Sequence, residues 1–121
     1  MDQKKTCLFI HRRSPYGSSR AQEVLDMAFT LSAFEHKVSL VFMDDGVLQI
    51  IRDQDPSAIG MKNISPTFRA WEDYGIEHIY VEKESLEMRG MNQMDLLIEA
   101  EIIEADQLGK IMEKQDFIFN D

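Results

Sequence analysis

Cys7 is the single thiol in this chain. A sulfur nucleophile reacts as its thiolate, which needs exposure and a cationic or helix-N-terminal setting. Cys7 instead sits in the apolar run Cys7-Leu8-Phe9-Ile10. It reads as a small core residue, and a poor nucleophile. The three histidines, His11, His36 and His78, are far apart and form no HxxxH pair or other metal-site spacing. His11, Arg12 and Arg13 end the first apolar run; with Arg20 they could hold an anion or an acidic partner. Solvated charge is the plainer reading of that cluster. Asp44-Asp45-Gly46 could act as a metal or base site, but Asp and Gly are common turn residues and a turn is favoured. Neither GxGxxG nor GxxxxGK[ST] occurs, so no nucleotide cofactor is expected. Ser14, Ser65 and Ser85 lack a His-acid pairing, and helix capping accounts better for the last two. The residues therefore point to no catalytic group, no metal and no cofactor.

These residues must be carried by an alternation of strands and helices. The run from Cys7 to Ile10 is short and continuous, as suits a strand covered on both faces. Ser14-Pro15-Tyr16-Gly17 is a turn, after which Ser18 or Ser19 can cap a helix running to about Glu35. A second strand is expected over Val38 to Met43, then a short helical segment containing Val47, Leu48, Ile50 and Ile51. Ser65-Pro66 begins a helix that Gly75 ends. Strands are expected over Ile76 to Val81, near Ile103, and at Phe117-Ile118-Phe119. One capped helical turn covers Ser85 to Gly90, and a helix covers Ala105 to Lys114. A right-handed βαβ opening and sustained alternation predict one three-layer α/β/α domain over residues 1–121, with a mostly parallel five-stranded sheet. The apolar surplus at Met43, Val47, Leu48, Ile50 and Ile51 suggests a subunit interface, with core packing as the alternative.

The totals agree with a folded domain: 121 residues, 44% hydrophobic and 29% charged. No apolar run approaches the roughly 20 residues that span a bilayer. With a lone cysteine and no secretory pattern, a cytoplasmic location is expected. The net charge of −9 is uneven: residues 1–70 hold nine Lys/Arg against eight Asp/Glu, and residues 71–121 hold four against fourteen. Such a chain is a poor direct partner for nucleic acid.

Four blocks carry a family resemblance: RRSPYG (Arg12 to Gly17), FMDDGVLQI (Phe42 to Ile50), GMKNISPTFRAWEDYGI (Gly60 to Ile76) and IYVEKESLEMRG (Ile79 to Gly90). Together they resemble the TusC/DsrF subunits of the DsrE-like superfamily, in order from near residue 4 to the C-terminal DFIFND. The resemblance implies a flavodoxin-like fold and a heterohexamer with TusD/DsrE-like and TusB/DsrH-like sister subunits. Such complexes relay persulfide sulfur to small sulfur-carrier proteins, toward tRNA 2-thiouridine (TusBCD) or in sulfur oxidation (DsrEFH). The resemblance places the sulfur-carrying cysteine mainly in the sister subunit, at a position matching about Ser65 to Thr67 here, which holds no thiol. A hydroxyl cannot replace a persulfide sulfur. A non-catalytic subunit of a sulfurtransferase complex is the expectation. The rivals are a stand-alone protein using the crevice near His11 to Arg13, and a homo-oligomeric DsrE-like protein.

Overall fold

The computed structural model describes residues 5–12, 20–51, 75–96 and 99–120. Its strands are β1 (Thr6–His11), β2 (Lys37–Phe42), β3 (His78–Glu82), β4 (Glu101–Ile103) and β5 (Phe117–Asn120). Its α-helices are α1 (Arg20–Ala33), α2 (Lys83–Met88) and α3 (Ala105–Glu113), with 3-10 helices at Asp44–Ile50 and Gln93–Asp95. The sheet order is β4-β3-β2-β1-β5, and every pairing is parallel. The expected flavodoxin-like α/β architecture is present.

Side chains alternate across a strand, so each strand feeds two cores. Cys7, Phe9, Val38, Leu40, Phe42, Ile79 and Val81 meet Val24, Leu25, Ala28 and Phe29 of α1. Leu8, Ile10, Val41 and Tyr80 meet Leu108 of α3, with Ile111 and Met112 packed against them. Burying each large apolar side chain contributes about 1.5–3 kcal/mol, which makes these two layers the main source of cohesion. The sheet is thus sandwiched between α1 and α3.

The strand order makes α3 cross from the β4 edge to the β5 edge. Its capping box is Glu104 with Gln107: the Glu104 backbone N–H donates to Gln107 Oε1 at 2.9 Å. β5 is anchored beside β1 by a ring stack of Phe9 on Phe119, 4.8 Å between centroids. A clasp secures the start of β5: the Thr6 backbone N–H donates to Asp116 Oδ2 at 2.8 Å, and the Asp116 N–H donates to Thr6 Oγ1 at 3.0 Å.

Two local expectations change. β3 begins at His78, two residues later than expected, although Ile76 is still buried. Ser85 caps nothing: α2 starts at Lys83 with Glu82 as its N-cap, so Ser85 lies inside the first turn. The helix does stop as expected, with Gly90 at φ 68° and its N–H donating to the Glu87 carbonyl at 3.0 Å. By contrast α1 is terminated by a non-glycine, Glu35, at φ 68°. The helix expected from Ser65 lies outside the described residues; Gly75, expected to end it, has φ 78°.

Candidate functional site

In open α/β sheets the crevice beyond the strand carboxyl ends is the usual ligand site. Here that end carries His11 after β1, Asp44 and Asp45 after β2, and Glu82 and Ser85 around the end of β3. Of the residues expected to hold an anion there, the structure describes the side chains of His11 and Arg12. His11 is fully buried, its ring stacked on Phe42 with centroids 4.7 Å apart. It has no surface to offer an anion or a partner, because the chain folds over it. Gly46 packs so closely that a Cβ there would stand 1.7 Å from the His11 carbonyl oxygen. Arg12 is exposed, but its Nε donates to Asp44 Oδ2 at 3.0 Å. Arg13 lies outside the described residues, and Arg20 contributes the first residue of α1.

The Asp44-Asp45-Gly46 turn is a turn in fact. Asp44 takes φ 51°, a left-handed conformation that Asp tolerates better than most residues. Its backbone N–H donates to Ser85 Oγ at 2.8 Å, and that hydroxyl donates to Glu82 Oε1 at 2.6 Å. Arg89 closes the network, one nitrogen donating to Asp45 Oδ1 at 2.9 Å and another to the Ser85 carbonyl at 3.0 Å. Ser85 is 2% exposed and both of its hydroxyl bonds are structural. Among the described residues, this end of the sheet is held together by its own side chains.

Cys7 is 3% exposed, within the α1-side core. Burial pushes its thiol pKa up, and the negative charge of Asp116 pushes it in the same direction. At neutral pH it is a protonated thiol out of reach of a donor, the opposite of an activated sulfur. Among the described residues no group of three or more His, Cys, Asp or Glu side chains could hold a metal ion.

The apolar segment after β2 divides. Val47 and Ile50 are fully buried in the chain's own core and present no surface to a partner; a 3-10 helix turns them inward. Met43, Leu48 and Ile51 are half-buried. Among the described residues, the large apolar side chains that stay exposed lie elsewhere: Met27, Phe34, Met88, Met94, Phe117 and Ile118. Exposure at Phe117 and Ile118 follows from β5 being an edge strand, a placement that only the sheet order reveals.

A second feature was also missed. On the α3 side, near the amino ends of β1, β2 and β3, lies a cavity of about 210 Å³ lined by Thr6, Lys37, Ser39, His78, Tyr80 and Lys114, among others. Its sequence signals were slight: a serine within the buried strand Val38-Ser39-Leu40-Val41, and a tyrosine in β3.

The fold and this chemistry define a class: a parallel three-layer α/β domain whose one thiol is hidden in the core. Comparison with known proteins gives the family. The DsrE/DsrF-like family model matches residues 5–120, and the chain belongs to that family. It is 37% identical to the intracellular sulfur oxidation protein DsrF of Allochromatium vinosum, covering 96% of each chain. It is 36% identical to a TusC homolog of Vibrio vulnificus, covering 86% of this chain and 88% of that one. The crystal structure of the E. coli ychN protein superposes with a TM-score of 0.82 at 21% identity, covering 97% of this chain and 99% of that one, which shows a shared fold. Among the described residues no helix is long and apolar enough to cross a membrane.

Proposed function

We propose that this chain is a non-catalytic subunit of an intracellular sulfur-relay complex, of the kind that serves sulfur oxidation or tRNA thiolation. The observation that carries this reading is the burial of its one sulfur. A persulfide relay needs a thiolate that a donor can reach, and Cys7 is enclosed and protonated. The names of its relatives support sulfur handling, so the sulfur-bearing group belongs on a companion chain. The family resemblance suggests TusD/DsrE-like and TusB/DsrH-like companions in a heterohexamer that docks small sulfur carriers. Of the expected interface residues, Met43, Leu48 and Ile51 remain available for such contacts, and exposed Phe117 and Ile118 extend the apolar surface on offer. The contribution of this chain is to hold and shape the cysteine-bearing subunit.

Co-expression with the products of neighbouring genes tests the proposal. The expected result is one stable heteromeric species containing this chain on size-exclusion chromatography. Elution of this chain alone, while the candidate sisters assemble without it, contradicts the reading.

A further inference from the structure

The cavity beside α3 is lined in part by polar groups that bond to no other group among the described residues. The strand register explains how it arises. Thr6 pairs with Lys37, Ser39 with His78, and all four side chains share the face that α3 crosses, as does that of Tyr80. Sheet strands lie about 4.8 Å apart and a helix is about 10–12 Å across, so one helix cannot roof five strands. α3 covers the apolar part of the face through Leu108, Ile111 and Met112. Ile111 near its end, with Lys114 and Gln115 just beyond it, forms only a side of the cavity.

Ser39 is 7% exposed and Tyr80 8%, yet among the described residues neither hydroxyl has a hydrogen-bond partner in the protein. Neither oxygen is sealed from that space, so each can bond to whatever fills it, water included. Burial raises the Tyr80 pKa, with the carboxylates of Glu101 and Glu77 acting in the same direction, so the phenol remains a donor. Two ammonium groups join them. Among the described residues no carboxylate lies within ion-pair distance of Lys37 or Lys114, in a chain of net charge −9. The one carboxylate in the lining, Glu77, lies beside the His78 ring at 3.6 Å. A cavity of about 210 Å³ is roughly seven water volumes, at about 30 Å³ each.

We propose that this cavity is a binding site for a small oxyanion, either a free tetrahedral anion or the acid group of a compact molecule. The Ser39 and Tyr80 hydroxyls would donate to it, and Lys37 and Lys114 would neutralise it. Charge-assisted bonds of this kind are the strong ones. The proposal is independent of the subunit role, because it needs no companion chain.

The test is a heteronuclear NMR titration of the full chain at constant ionic strength, with sodium sulfate, sodium acetate and sodium chloride in separate arms. Saturable shifts at the Thr6, Ser39, His78 and Tyr80 amides with sulfate or acetate support the site, and the anion that saturates identifies the acid group. Lys37→Gln and Lys114→Gln should each weaken that binding about tenfold, as expected for the loss of one charge-assisted contact, while Lys110→Gln leaves it unchanged. All three positions are exposed, so these variants fold. Non-saturating shifts in every arm, shifts that chloride reproduces, or wild-type affinity in both lysine variants would overturn the proposal and leave a cavity filled by water alone.

Discussion

At the carboxyl ends of β1, β2 and β3, Arg12 holds Asp44, Arg89 holds Asp45, and Ser85 bridges the Asp44 backbone to Glu82. Near the amino ends of the same strands, the hydroxyls of Ser39 and Tyr80 face a cavity without partners of their own. The usual ligand position of an open α/β sheet is the first of these. Among the described residues, that position is occupied by structure. The contrast shows that a location becomes a candidate site when its polar groups face open space instead of one another, and that topology alone does not decide it. It also shows why buried polar groups of one type differ in what they contribute.

The largest expected effect is at Gly46. A Cβ there would meet the His11 carbonyl carbon at 2.4 Å as well as its oxygen, so the backbone itself must move. Gly46→Ala should cost on the order of 3 kcal/mol or more in urea denaturation, and a cost near zero would break the picture of a tightly closed carboxyl end. The two buried serines give the sharper comparison. Ser85→Ala removes the acceptor of the Asp44 N–H and should cost about 1–3 kcal/mol. Ser39→Ala removes a hydroxyl with no protein partner and should change stability by no more than about 0.5 kcal/mol. Equal costs would erase the distinction between the two ends.

Arg12→Gln should be milder than Ser85→Ala. Both partners of that pair are about half exposed, so it is worth under about 1 kcal/mol and should fade with added salt. The smallest effect concerns the Thr6–Asp116 clasp. Hydrogen bonds from the Thr6 backbone and side chain hold the Asp116 carboxyl below its ordinary value of 3.8. A carboxyl lowered in the folded state stabilises above its unfolded value and loses that contribution as pH falls through the folded value. The stability difference between the wild type and Asp116→Asn should therefore shrink on acidification below about pH 4, in denaturation series run at each pH.

Much of the architecture was legible because the strands are short apolar runs and the helices carry capping and stop signals. Cys7 to Ile10, Gly90 and the final Phe117-Ile118-Phe119 all behave as local rules dictate. The misreadings share one cause, which is contact between distant segments. His11 beside two arginines looks exposed, but Phe42 and Gly46, more than thirty residues later, cover it. Ser85 looks like a cap until the Asp44 N–H arrives from the β2 end to claim its hydroxyl. Val47 and Ile50 belong with Leu48 and Ile51 to an apolar cluster that fits an interface as well as a core, and only the 3-10 turn settles their direction. The cavity draws on Thr6, Ser39, Tyr80 and Lys114, which only the strand register and the crossing of α3 bring together.

The account rests on Cys7 being unable to accept or pass on sulfur. The direct measurement is mass spectrometry of this chain, isolated within its co-expressed complex while a persulfide donor is being consumed. The expected result is an unmodified thiol at Cys7 and added sulfur on a companion subunit. A Cys7 peptide carrying one extra sulfur atom would contradict it.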